Sequence, residues 1–207
     1  LDDSVIQDYA DLEGIKNAVN TTIFALENGH KIGILIDEDV DGFCSASMVY
    51  MYLNRINNEL YDSKSNICYL LHKKAKAHGL SEDITIPDDV KLLIIPDAGT
   101  NDVTQCTELV NRGVQIVILD HHEKEKSEKI MPEEVVIVNN QCSPRYKNKD
   151  LCGAGIVYRF LQAMDDELWI NYADDYLDLC ALANIGDVMD MRSFETRRLV
   201  DKGIQNI

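Results

Sequence analysis

Asp120, His121 and His122 stand together at the end of an apolar run, Val114 to Leu119. Two adjacent imidazoles beside a carboxylate suit metal binding and proton transfer, because neutral imidazole ligates cations and its protonated form donates. Two further apolar runs end in the same way. Ile32 to Ile36 leads into Asp37-Glu38-Asp39-Val40-Asp41-Gly42, and Leu92 to Ile95 leads into Pro96-Asp97-Ala98-Gly99. Near the carboxyl end, Gly186-Asp187-Val188-Met189-Asp190 adds another acidic stretch. Asp39, Asp41, Asp97, His121 and Asp187 together make a mixed oxygen and imidazole donor set. Such a set suits Mn²⁺ or Mg²⁺, with imidazole tilting the preference towards Mn²⁺.

Those residues lie far apart in sequence, so something must bring them together. Short apolar runs separated by helix-length amphipathic segments predict βα units and a parallel sheet, whose strand ends share one rim. Residues 14–28 carry Ile15, Val19, Ile23 and Leu26 at helical spacing, followed by Gly29 as a terminator. Strands are predicted at 32–36, 67–71, 91–95, 114–119 and 135–138, with helices at 43–56 and 102–112. Beyond Pro144 the pattern is helical, over about 153–164, 172–185 and 193–205, by the same periodicity. The expected fold is α/β, a five-stranded parallel sheet flanked by helices and followed by a mostly helical C-terminal portion. Residues 1–140 would form the parallel domain, and 141–207 a helical extension completing it.

The chain has 207 residues and a formal charge of −16. That length buries a full core without staples. The six cysteines, Cys44, Cys68, Cys106, Cys142, Cys152 and Cys180, form no C-x-x-C pair and read as reduced, mostly buried side chains, which points to the cytoplasm. No apolar run approaches a membrane span, so no membrane is expected as a partner. The acidity opposes general attraction to nucleic acid, although cations bound by the carboxylates would offset part of it. One local exception is His72-Lys73-Lys74-Ala75-Lys76-Ala77-His78-Gly79. It reads either as a solvated loop or as an electropositive rim with Lys73, Lys74, Lys76 and His78 facing phosphates.

The run at 37–42 has three readings. As an EF-hand loop it fails at the twelfth position, which is Met48 where a bidentate Glu belongs, and it follows a strand. As a haloacid-dehalogenase-type motif, Asp37-Glu38-Asp39-Val40 fits with Asp37 as nucleophile, but the double histidine is then unexplained. The third reading, a metal site completed by distant ligands, uses the most residues. Asp165, Asp166, Asp174, Asp175 and Asp178 fall in helical segments away from the strand ends and read as a solvated face. Asp120 and His122 have a plainer reading as caps of the following segment, as does Asp187 as a helix-end carboxylate.

Taken in order, ILIDEDVDGFCSA, IIPDAGT, ILDHHE, VNNQCSPRYKNKDLCGAGIVYRF and ALANIGDVMDM resemble the motifs of DHH-family phosphoesterases, closest in pattern to the RecJ-like single-strand exonucleases. The resemblance runs from residue 31 to 191. It implies two Mn²⁺ ions, with Asp97 and Asp187 bridging, Asp39 favouring one ion, and Asp41 with His121 the other. His122 would contact the phosphate or help the leaving oxygen depart, and Asp37 joins it among the catalytic candidates. Gly153-Ala154-Gly155 opens a helix whose free N–H groups would hold a substrate phosphate or order the site. The implied activity is metal-dependent hydrolysis of single-stranded DNA, from the 5′ end, in DNA repair or recombination. Rivals within the family are hydrolysis of short oligonucleotides, cyclic dinucleotides, bisphosphate nucleotides or pyrophosphate. A different class is a binding module that keeps the fold and loses the chemistry. Two departures bear on this: Leu35 stands where many members place a histidine four residues before the aspartate aligned with Asp39, so the first ion would bind more weakly or lean on Asp37, and the family's usual C-terminal substrate-binding domain is absent from this sequence.

Overall fold

The computed structural model describes residues 1–73, 78–81 and 84–206. Lys74 and Lys76, two of the three lysines expected to track phosphates, lie outside the described residues.

A lead-in helix, α1 (Ile15–Glu27), precedes β1 (Lys31–Leu35), and α2 (Val40–Leu60) follows it. Then come β2 (Ile67–Leu70), β3 (Val90–Pro96), α3 (Val103–Asn111), β4 (Gln115–Asp120) and β5 (Val135–Asn139). The strands form one sheet in the order β2-β1-β3-β4-β5, and every neighbouring pair is parallel. All five expected strands are therefore present, within a residue or two of their predicted ends. The central strands are buried on both faces, which is why they read as continuous apolar runs without alternation.

The chain steps from β1 outward to β2 and then crosses back to β3 on the other side of β1. Right-handed crossovers consequently put α2 on one face and α3 on the other. The core divides accordingly. Ile32, Ile34, Leu92, Ile94, Val117 and Leu119 meet α1, α2 and α4 on one face, whereas Leu35, Leu93, Ile95, Ile116 and Ile118 meet Cys106 and Leu109 of α3 on the other. The reversal of direction between β1 and β3 leaves a crevice at their carboxyl ends.

The remaining helices are α4 (Gly153–Leu168), α5 (Leu177–Gly186), entered through a 3-10 turn at Ala173–Tyr176, and α6 (Phe194–Gln205). The expected single helix over 172–185 is thus a tight turn plus a shorter helix. These helices share the core of the sheet: Ile156, Phe160 and Leu161 of α4 lie in one cluster with Val49 and Leu53 of α2. Buried Glu195 accepts hydrogen bonds from Gln7 N, Tyr146 Oη and Asn148 Nδ2, tying α6 to the amino-terminal segment. No helix among the described residues is long and apolar enough to cross a membrane.

One expectation is corrected. Asp165 belongs to no solvated face: it is buried and accepts from Tyr52 Oη at 2.8 Å, Tyr172 N at 2.8 Å and Ala173 N at 2.7 Å. Three donors converge on it because the 3-10 turn directs its orphan N–H groups back at the end of α4, and a buried carboxylate needs such partners.

Candidate metal centre

Each strand end delivers its polar residues to the crevice. Asp37, Asp39 and Asp41 follow β1, Asp97 follows β3, and His121 and His122 follow β4. Asp187 arrives from α5, where it is the C-cap residue. Three groups of side chains have ligand atoms within 4.8 Å of one another: Asp37 with Asp39 and Asp97, Asp41 with His121 and Asp187, and Asp97 with His121 and His122. Asp97 and His121 each appear twice, so they stand at the centre.

Asp97 is the most constrained member. Its φ of 63° is left-handed, a region non-glycine residues seldom occupy and one that marks functional strain. Its N–H is fixed on Leu119 O at 2.8 Å. Its Oδ1 is buried and accepts no hydrogen bond, while His121 Nε2 lies 3.2 Å away. Burial, and next the neighbouring Asp41 carboxylate, push the Asp97 carboxyl far above the usual range. A buried, unsatisfied acceptor crowded by other carboxylates is costly unless a cation compensates it. Burial also lowers the His121 imidazole, which keeps it neutral with a lone pair to offer. His121 Nε2 is 3.7 Å from both Asp41 Oδ2 and Asp187 Oδ2. Burial raises the Asp187 carboxyl as well. The donor chemistry fits divalent cations.

Asp41 has a second task. Its Oδ2 accepts from Gly153 N at 2.6 Å and its Oδ1 from Ala154 N at 2.8 Å, with Ser45 Oγ at 3.2 Å. The first turn of α4 therefore directs its free N–H groups at a carboxylate of the chain, where the helix dipole favours negative charge. Of the two roles expected for Gly153-Ala154-Gly155, the geometry displays the ordering one. Gly153 is needed because a Cβ there would lie 2.5 Å from Asp97 Oδ1, and one at Gly155 would lie 2.3 Å from Leu151 Cγ. Both glycines are buried.

His122 is held differently from His121. Its Nδ1 lies 2.8 Å from Asp120 Oδ1, and that hydrogen bond raises the imidazole. Burial alone would raise Asp120, yet hydrogen bonds from His122 and Thr100 hold it well below the usual carboxylate range. Asp120 also accepts from the His121 and His122 N–H groups and from Thr100 N. Asp120 thus fixes the turn that presents both imidazoles, an arrangement that favours a charged, donating His122.

Asp37 is buried and pairs with His78, whose Nδ1 is 2.6 Å from Asp37 Oδ2. The pairing raises the His78 imidazole. The ring of His78 stands edge-on to that of His122 with centroids 4.9 Å apart, so the expected substrate-side histidine does reach the site. Asp39 is exposed and caps α2 through Gly42 N at 2.8 Å. Lys73 is exposed and donates to Thr85 Oγ1 at 2.7 Å. Leu35 lies in the apolar cluster under α3, offering no ligand atom where the resemblance places a histidine.

Three polar residues escaped the sequence reading. Thr100 binds Asp120, and Asn139 Nδ2 donates to Thr100 Oγ1 and to His122 O, both at 2.9 Å. Asp102 Oδ2 accepts from Leu80 N at 2.7 Å, fixing the segment after His78. Asn139 carried a usable signal, since it too ends a strand at the same rim.

The fold and this cluster define a doubly wound α/β protein with a candidate carboxylate and imidazole cation site at its switch point. The chain belongs to the DHH family: the model of that family's N-terminal domain matches residues 31–184. It is 41% identical over 207 residues to the putative SPbeta prophage-derived single-strand DNA-specific exonuclease YorK of Bacillus subtilis (strain 168), covering 100% of this chain and 34% of that protein. It is 25% identical over 199 residues to the single-stranded-DNA-specific exonuclease RecJ of Thermus thermophilus, covering 95% of this chain and 28% of RecJ. A crystal structure of exonuclease RecJ bound to manganese superposes with a TM-score of 0.77 at 24% identity, over 94% of this chain and 48% of that one. The chain spans about a third of the length of these curated relatives.

Proposed function

We propose that this chain carries the metal-dependent phosphodiesterase centre of a single-strand-DNA exonuclease that digests from the 5′ end. The observation that carries the reading is Asp97 Oδ1, a buried acceptor without a hydrogen bond beside His121, in a chain 41% identical to a putative single-strand DNA-specific exonuclease. Asp97 would be shared between two ions, with Asp37 and Asp39 completing one set of donors and Asp41, His121 and Asp187 the other. Mn²⁺ suits the mixed donors, with Mg²⁺ as the alternative. Bound cations would supply an acidified water and would neutralise charge on the phosphoryl oxygens.

The chain's own residues do the rest. Asp120 keeps His122 oriented and favours its protonated form, so His122 would donate to the phosphate or to the departing oxygen. The Asp41 bond to the start of α4 fixes the crevice wall before substrate arrives. His78 holds Asp37 and flanks His122 on the open side.

Mn²⁺-dependent digestion of 5′-labelled and 3′-labelled single strands, alongside a dinucleotide, a cyclic dinucleotide, a bisphosphate nucleotide and pyrophosphate, tests the reading. Mononucleotide release from the 5′ end of long strands is expected. Turnover confined to the small substrates would move the assignment to another branch of the family. Strand binding without turnover would favour the binding-module reading, for which Leu35 in the apolar core is the supporting observation.

A further inference from the structure

The segment from 123 to 130 between β4 and β5 is exposed throughout and is attached to the candidate centre at one end only. Asn101 clamps that end: its Nδ2 donates to Glu123 O at 3.0 Å and its Oδ1 accepts from Glu125 N at 2.9 Å. The clamp leaves a pocket of about 420 Å³ between this segment and the start of α3. Lys124, Lys126 and Lys129 line it, as do Val103, Ile130 and Met131. Lys129 Nζ donates to Thr104 Oγ1 at 2.7 Å, whereas Lys124 and Lys126 enter no salt bridge among the described residues. Glu125 is the one carboxylate in the lining, against three ammonium groups.

The pocket adjoins the centre. A second cavity, lined by His78, Asp120 and His122, shares Thr100, Asn101 and Glu125 with it. Thr100 N is bonded to the same Asp120 that holds His122. A phosphate at His122 would therefore have its neighbouring nucleotide at the mouth of the lysine pocket. In a chain with a net charge of −16, Lys124 and Lys126 alternate with Glu123, Glu125 and Glu128 yet make no salt bridge with a carboxylate among the described residues, so their ammonium groups are open to a polyanion, and attraction is set within about a Debye length. Val103, Ile130 and Met131 in the same lining offer an apolar surface to a base without reading its identity.

We propose that this pocket is a nucleotide subsite adjacent to the scissile phosphate, with Lys124 and Lys126 contacting the strand's backbone and Val103, Ile130 and Met131 receiving the base. The strand would leave the centre across α3 and the β4–β5 segment. This inference rests on the proposed function and names the track its substrate takes.

The test is the Lys124→Glu/Lys126→Glu double variant, with Lys124→Arg/Lys126→Arg as its conservative counterpart. Two readouts are taken with Mn²⁺: hydrolysis of thymidine 5′-(p-nitrophenyl phosphate), which has no neighbouring nucleotide, and hydrolysis of dT12. Anisotropy of a fluorescent dT12 across a salt series gives binding independently. The Glu variant should turn over the nitrophenyl ester as the parent does, raise KM for dT12 about tenfold at low salt, and lose about 1.4 from the salt slope, for two backbone contacts. The Arg variant should behave as the parent. Unchanged dT12 affinity and slope in the Glu variant would overturn the subsite, as would an equal loss on both substrates. If the parent hydrolyses neither substrate yet binds dT12 through these lysines, the hydrolase reading fails and the subsite stands. If the parent fails to bind dT12, the subsite falls.

Discussion

Gly153→Ala sets two effects of known size against each other. Gly153 is helical, so backbone propensity alone favours alanine by up to about 1 kcal/mol. The added Cβ, however, would lie 2.5 Å from Asp97 Oδ1, 2.6 Å from its Cβ and 2.8 Å from its Cα. Those separations fall roughly 0.6–0.9 Å short of ordinary contact at 3.4 Å. Neither partner yields easily, because Asp97 is a strained backbone position bonded to Leu119 O and the start of α4 is bonded to Asp41. Overpacking of this kind costs about 1–3 kcal/mol, so contact outweighs propensity. For a chain of this size a net loss of about 1–2 kcal/mol should lower Tm by roughly 2–8 °C.

The displacement also moves a central ligand. A shift approaching 1 Å at a catalytic group costs on the order of 100-fold in rate, and Mn²⁺ affinity should fall with it. Gly155→Ala supplies the contrast, because its Cβ would strike the Leu151 side chain. That variant should lose stability and keep Mn²⁺ affinity. Calorimetric unfolding and Mn²⁺ titration of both variants decide the matter. A Gly153→Ala protein as stable as the parent, with unaltered Mn²⁺ affinity, would show that the contact does not set the position of Asp97.

Mn²⁺ uptake should release protons, since burial raises Asp97 and Asp187 and a raised carboxyl holds a proton that the cation must displace. Affinity should then climb as pH rises above the ordinary carboxylate range, and titrations in buffers of different ionisation enthalpy that report no proton release would contradict this. His121→Ala should lose Mn²⁺ affinity and activity together, whereas His122→Ala should retain affinity and lower kcat by about 10²–10⁴-fold, as measured at saturating Mn²⁺; equal loss of affinity in both would reject the separation of roles. Asp165→Ala leaves two buried donors and one half-buried donor unpaired and should cost about 2–4 kcal/mol in denaturant unfolding with unchanged Mn²⁺ stoichiometry.

The central strands were readable because they are buried on both faces and therefore apolar throughout, and the candidate ligands because all but Asp187, which ends α5, follow such a run. Where the reading failed, the missing information was spatial. Asp165 looks like its neighbours Asp166 and Asp174 along the chain, and only the turn at Ala173–Tyr176 reveals why it is buried. Gly153 was recognisable as the start of a helix, but the carboxylate that accepts from Gly153 N and Ala154 N comes from Asp41, more than a hundred residues earlier. Thr100 and Asn139 act through Asp120 and His122 without a charge or a spacing of their own. Local pattern reports burial and periodicity, whereas partners across a crevice depend on strand order.

Asp41 joins the two parts of the chain energetically as well as geometrically. Its carboxylate accepts two N–H groups from the first turn of α4 while standing within 3.7 Å of His121 Nε2. The helical portion therefore docks onto a group that the candidate metal centre also uses. Asn184, at the far side of α4's start, accepts from Cys152 N and sits three residues before Asp187. The same docking thus brings the last carboxylate into range. On this geometry α4 and α5 bring Gly153, Ala154 and Asp187 to the crevice at the strand ends, and cation binding should stabilise the packing of α4 and α5 on the sheet. Hydrogen exchange provides the check: Mn²⁺ should slow exchange in the first turn of α4 and the last turn of α5 as much as in the loops after β1, β3 and β4. Protection confined to the sheet loops would mean that the helical portion is a bystander to the site.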